Sequence, residues 1–118
     1  MPADAHRRPS RTAPPSIGAD LREGLERDLR ANLAGEVRFD PVARSLYATD
    51  ASPYRIAPHG VVFPRHAADV RAALGVARAH GVPLLMRGGG TSLAGQTVGE
   101  AVVADTTRHL TAILEIDV

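Results

Sequence analysis

Cysteine, lysine and tryptophan are absent from this 118-residue sequence. Without cysteine there are no disulfides and no thiolate ligands for an iron–sulfur cluster. Without lysine there is no Walker A phosphate loop and no Schiff-base chemistry. Aromatic residues are scarce, two Phe and two Tyr, which leaves little from which to build a base-stacking surface. All 14 basic residues are arginines; against 13 acidic residues they give a net charge of +1, too small a field to mark a nucleic-acid binder. No apolar run approaches membrane-spanning length. What remains is 44% hydrophobic and 23% charged, the composition of one globular domain with a core of its own.

Residues 1–16 hold four of the nine prolines, three arginines and almost nothing apolar, and read as a disordered leader. Arg7-Arg8 is a twin-arginine pair, but no apolar stretch follows between Pro9 and Asp20, so export is not expected and a cytoplasmic location is. From Asp20 the pattern becomes helical. Leu21, Leu25, Leu29 and Leu33 form one apolar stripe, Asp20 and Glu23 have capping-box spacing, and Gly35 is placed to stop the helix. Val37 and Phe39 alternate with charges, predicting a short strand. Asp40-Pro41 predicts an N-cap and first helical residue, opening a brief helix through Leu46.

The stretch from Val61 onwards is denser. Val61-Val62-Phe63 predicts a buried strand closed by Pro64. Val70, Ala73, Leu74 and Ala77 predict a helix face turned to a sheet, with His66 as a weak cap, Gly75 a small cost inside the helix and Gly81 its stop. Val82 to Met86 predicts the next strand, giving a strand–helix–strand unit with parallel strands. Ala101 to Ala104 and Ile113 to Ile116 are two further strand candidates. There is no internal repeat and no heptad pattern.

Between Gly88 and Gly99 lie five of the eleven glycines, directly after a predicted buried strand. Consecutive glycines let the backbone take positive φ and let a ligand approach with no Cβ in the way. Successive N–H groups in such a turn converge into an anion-binding nest, and Thr91, Ser92 and Gln96 add side-chain donors. This chemistry suits a phosphate or pyrophosphate. A glycine-rich turn between strands needs no ligand, however, and a flexible linker has similar composition, although apolar strands bracket this one closely. A dinucleotide Rossmann loop does not fit: counted from Gly88, the third fingerprint glycine falls on Leu93, and no amphipathic helix follows.

The decad Arg87-Gly88-Gly89-Gly90-Thr91-Ser92-Leu93-Ala94-Gly95-Gln96 resembles the pyrophosphate-binding loop of FAD-linked oxidases with a flavin domain of the vanillyl-alcohol-oxidase or p-cresol-methylhydroxylase (PCMH) type. Its surroundings do too, in order: Tyr47-Ala48-Thr49-Asp50-Ala51-Ser52, Val61-Val62-Phe63-Pro64, Asp69-Val70, Val102-Val103-Ala104-Asp105, Arg108-His109-Leu110 and Ile113 to Asp117. The resemblance spans roughly residues 36–118. It implies an α+β fold, the first half of a PCMH-type FAD-binding domain, built as a small mixed or parallel sheet flanked by helices. On that reading residues 1–16 are the leader, 17–56 a helical N-terminal segment, and 57–118 the beginning of the FAD domain.

The Thr-Ser-Leu-Ala-Gly-Gln form is similar to that of the D-2-hydroxyacid dehydrogenase branch, so the resemblance implies oxidation of D-lactate, D-2-hydroxyglutarate or glycolate by hydride transfer to FAD. Arg87 to Gln96 would bind the cofactor. Covalent relatives place a histidine after the glycines; Thr91 stands there, and no cysteine offers an alternative link, so the FAD is expected to be non-covalent. The resemblance also implies an electron acceptor, whether an iron–sulfur region, a quinone or another carrier, and a substrate domain with the catalytic base. None of these is found before Val118, so the chain reads as an amino-terminal fragment, cytoplasmic or peripheral at a membrane in its complete form, with no catalytic and no metal-binding residue of its own. A non-catalytic nucleotide- or phosphate-binding module, another FAD-linked oxidase with a different alcohol substrate, and a truncated product that never folds stand as alternatives.

Other polar residues have plainer readings. His6, His59, His66, His80 and His109 lack metal-ligand spacing. Asp105 and Arg108 read as structural at a strand end, not as a catalytic pair. Tyr54 and Arg55 are surface residues, with a carboxylate contact as the sharper alternative. Arg87 either neutralises a phosphate or packs along the sheet with its guanidinium in water.

Overall fold

The structure, a computed structural model, describes residues 15–93 and 95–117. Residues 1–14, most of the stretch read as a leader, lie outside the described residues. Helix α1 covers Pro15–Asn32, so it takes in the last two residues of that stretch. Proline suits a helix start, where its missing N–H has no intrahelical partner to lose. Asp20 and Glu23 are therefore interior to the helix and not a capping box. Strand β1 (Glu36–Arg38) and helix α2 (Pro41–Leu46) follow as the sequence predicts. The Asp40 carboxylate caps α2 by accepting from the Ala43 N–H at 3.0 Å. It also pairs with Arg38 at 2.8 Å, and that bond and the cap hold the Asp40 carboxyl down to about 2.

Strands β2 (Gly60–Phe63), β3 (Leu84–Arg87) and β4 (Val102–Asp105) are mutually parallel, with helix α3 (Ala67–Ala79) between β2 and β3 in sequence. The sheet order is β1-β2-β4-β3, with β1 antiparallel at one edge. The last strand in sequence therefore lies between the two strands of the strand–helix–strand unit. This mixed sheet flanked by helices is an α+β architecture.

Both faces of the sheet are covered, which is why the strands read as continuous apolar runs and not as alternation. On one face, Leu25, Leu29 and Leu33 of the α1 stripe and Ala73 of α3 pack with Val37, Val62, Val102 and Ala104. On the other, Ala43 of α2 packs with Val61, Phe63 and Val103, and Tyr47 and Leu85 close over them. Ala73 and Ala77 of the expected face of α3 are buried, together with Asp69, whereas Leu74 is 52% exposed.

That carboxylate binds the fold together. Asp69 accepts backbone N–H bonds from Ala34 (2.9 Å), Gly35 (3.0 Å) and Arg65 (2.9 Å), tying the α1–β1 turn to the start of α3. His66 occupies the N-cap position of α3 but its side chain makes no capping bond; its carbonyl accepts the Asp69 N–H at 2.9 Å. Gly35 does not end α1 in a left-handed turn. It is glycine because a Cβ there would collide with the Phe63 carbonyl oxygen. Gly81, at φ 72°, does stop α3 in the left-handed way. The C-cap His80 reaches back to Asp28 of α1, with Nε2 and Oδ2 2.7 Å apart. The expected strand at Ile113–Ile116 does not form. Those residues run extended along no partner strand among the described residues, with Ile113, Leu114 and Ile116 75–95% exposed.

Candidate functional site

The glycine-rich stretch leaves the carboxyl end of β3 at Arg87, which is in register with Asp105 at the carboxyl end of β4. Parallel neighbours need a crossover to return the chain to the starting edge of the sheet. Here residues 88–101 make that return without a helix among the described residues. Ligands of parallel sheets gather outside the carboxyl ends of the strands, which is where this loop begins.

The glycines divide into two kinds. Gly90 (φ 70°) and Gly95 (φ 76°) are left-handed, and the space beside each is filled, by the Arg87 guanidinium and by the Tyr54 ring respectively. These two are required by the loop itself. Gly88 and Gly89 are exposed and have no positive φ. A Cβ on Gly88 would meet open space, and one on Gly89 only the Thr91 methyl at 3.7 Å. Among the described residues, the N–H groups of Gly88, Gly89 and Gly90 find no acceptor, whereas the Gly90 carbonyl accepts from Ala51 N–H at 3.0 Å. Ser92 Oγ bonds to the Gln96 side chain and also accepts the Gln96 N–H at 3.2 Å, closing the tip of the loop. Thr91, Leu93 and Gln96 are exposed. Ala94 lies outside the described residues.

Arg87 does not lie along the sheet with its guanidinium in water but packs inside the loop. Its guanidinium lies 5.0 Å from the centroid of the Tyr47 ring, fills the space beside Gly90 and donates to the Thr97 carbonyl at 3.3 Å. Tyr47 in turn donates to Asp105 at 2.5 Å. Burial and then this bond push the Tyr47 phenol up to about 12. Burial pushes the Asp105 carboxyl up, but bonds from Thr107 and Tyr47 outweigh it and the net shift is downward. Arg108 pairs with Glu36 at 2.6 Å and stacks 4.0 Å from the Phe63 ring centroid, far from any pairing with Asp105. Arg55 is exposed beside Ser45, and Tyr54 packs on Gly95.

What sequence reasoning missed is that the segment 50–54 packs against the glycine loop. Asp50 accepts from Thr97 Oγ1 at 2.7 Å with one oxygen, and from the Ser52 N–H at 2.8 Å and the Ser52 hydroxyl with the other. The bonds from Ser52 and Thr97 hold its carboxyl down to about 2. The resemblance of 47–52 marked the segment as belonging to the family but not as a wall of the loop. No His, Asp and Glu side chains gather into a metal site among the described residues, and no described helix is long and apolar enough to cross a membrane.

The glycine loop thus presents open N–H groups at the carboxyl edge of a mixed sheet in an α+β domain. Residues 58–118 match the FAD binding domain family, and the chain belongs to it. It is 40% identical over 103 residues to a D-2-hydroxyglutarate dehydrogenase of Pseudomonas putida, a match covering 85% of this chain and 10% of that protein. It is 33% identical over 105 residues to the glycolate oxidase subunit GlcD of Bacillus subtilis, covering 86% of this chain and 21% of that one. Among solved structures, BBE-like 1 of Physcomitrella patens superposes with a TM-score of 0.58 at 28% identity, over 69% of this chain and 18% of that one. p-Cresol methylhydroxylase superposes with a TM-score of 0.54 at 15% identity, over 88% and 21%, a likeness of fold alone. The chain thus spans a tenth to a fifth of the curated relatives named here.

Proposed function

We propose that Arg87 to Gln96 hold the pyrophosphate of a non-covalently bound FAD, and that the protein oxidises a D-2-hydroxy acid such as D-lactate, D-2-hydroxyglutarate or glycolate. The observation that carries this reading is the contrast between the glycines: Gly90 and Gly95 serve the loop, while Gly88 and Gly89 guard space the chain does not fill. Their N–H groups, without acceptors among the described residues, are suited to anionic oxygens. FAD, when bound, supplies the hydride acceptor for the substrate's α-carbon. The chain's own part is to fix the pyrophosphate and turn the bare edge of the loop toward it. Arg87 stiffens Gly90 from behind, and its positive charge near the loop favours an anion in front. Thr91, in place of the histidine of covalent relatives, and the absence of cysteine support a releasable cofactor. The base, the substrate pocket and the electron acceptor (an iron–sulfur region, quinone or other carrier) are assigned to parts of the protein other than these residues.

The test is the visible spectrum of the complete protein before and after anaerobic addition of each 2-hydroxy acid. A flavin band that bleaches with one of them supports both class and substrate. Acid precipitation should release the flavin into the supernatant, and flavin retained in the pellet would overturn the non-covalent assignment. A protein that stays colourless after incubation with FAD would favour a non-catalytic phosphate-binding module. Gly89→Val tests the loop: the apoprotein should keep its stability within about 0.5 kcal/mol, since a Cβ is sterically admitted there. FAD affinity should fall by about tenfold or more, because the branched side chain occupies the approach. Full flavin occupancy in this variant would sink the assignment.

A further inference from the structure

We propose that Asp50 is the positioning residue of the glycine loop: from a connection 47 residues earlier in sequence it sets the loop's shape by holding Thr97, and so tunes affinity for the pyrophosphate without touching it. The proposal rests on the reading of the loop as a pyrophosphate site.

The segment 50–54 grips the loop at three points. The Asp50 carboxylate accepts from the Thr97 hydroxyl at 2.7 Å, the Ala51 N–H donates to the Gly90 carbonyl at 3.0 Å, and the Tyr54 ring fills the space beside Gly95. Two of these points are the left-handed glycines, whose conformation decides the course of the loop. The third, Thr97, is also held from the opposite side by Arg87 through its carbonyl. The other oxygen of Asp50 accepts the Ser52 N–H at 2.8 Å and so fixes the turn that presents Ala51 and Tyr54.

Charge argues in the same direction. A carboxylate beside an anion site opposes anion binding. Its place here is therefore explained by the bonds it accepts and not by its charge. Asparagine retains the needed geometry: its carbonyl oxygen can accept from Ser52, and its amide can donate to the Thr97 hydroxyl. Alanine retains neither bond. The two substitutions thus separate shape from charge.

The experiment measures affinities of the complete apoprotein for FAD and for ADP, which carries the pyrophosphate but no flavin ring, together with the apoprotein's Tm. Asp50→Ala should weaken FAD and ADP by the same factor, about tenfold or more, the loss of hydrogen bonds to a charged acceptor. Asp50→Asn should stay within about threefold of the parent. Thr97→Val should weaken both ligands, and adding it to Asp50→Ala should cost less than the two single effects combined. Thr97→Val carries the test alone if Asp50→Ala does not fold. Unchanged affinities with a lowered Tm would reduce Asp50 to a local turn residue and overturn the proposal. So would a loss in Asp50→Asn equal to that in Asp50→Ala, or a loss for FAD with none for ADP. A parent protein that binds neither ligand would instead refute the pyrophosphate reading on which the proposal rests.

Discussion

Asp69 shows how much of this fold hangs on single polar atoms. It is 4% exposed and accepts three backbone N–H groups from two separate turns. Burial pushes its carboxyl up, but the bonds from Arg65, Ala34 and Gly35 outweigh that and leave it lowered. Asp69→Ala strands those donors, so we expect a loss of about 3 kcal/mol or more in a urea titration, with the midpoint shifted and the slope kept. A loss under about 1 kcal/mol would mean that water replaces the carboxylate at no great cost. The bonds that decide both Asp69 and Asp50 join residues 34–47 positions apart, whereas capping and turn rules look only three or four positions away.

Among the elements, those whose signal is local were legible. Asp40-Pro41 fixed the start of α2, the leucine stripe α1, and Val61 to Phe63 most of β2. Leu25 and Leu29 are fully buried against the sheet, so Leu25→Ala should cost about 2–5 kcal/mol by the same titration. The element that failed, Ile113–Ile116, has the alternation of a strand but no neighbour to pair with among the described residues. Strand propensity expresses a fit to a partner surface more than a preference of the backbone itself. Leu74 is adjacent to Ala73 and Ala77 in helical periodicity, yet it lies on the exposed flank of α3. The loop's glycines were legible as a group, but their division into structural and ligand-facing members needed the positions of Tyr54 and Arg87, which approach from other elements.

At the scale of the molecule, His59 and the shifted carboxylates act in one direction. Burial lowers His59 below its ordinary 6.5. Asp28, Asp40, Asp50, Asp69 and Asp105 all lie below 3.8. In each window the unfolded chain binds more protons, so stability rises with pH there. Cooling of the Tm on acidification should therefore begin gently as pH falls below 6.5 and steepen below 3.8, continuing toward about 2 for Asp40 and Asp50. At the alkaline end the sign reverses. Tyr47, raised from 10.0 to about 12, favours the native state fully below pH 10.0 and loses that contribution as pH rises through about 12. Thermal melts across the range check both limbs; a Tm flat from neutrality down to pH 3 would contradict the acid limb.

The position of β4 sets an order of events. The strand made last lies between β2 and β3, and until it arrives those two have nothing to pair with on their inner edges. During synthesis, a chain ended before residue 102 can gather its helices and the β1–β2 pair, yet it presents two open strand edges one strand-width apart. Such edges are templates for any extended segment nearby. Val102–Asp105 fills this slot, pairs with β2 on one side and β3 on the other, and carries Asp105 to its bond with Tyr47. The glycine loop, strung between β3 and β4, is thus anchored at both ends only once β4 is in place between β2 and β3.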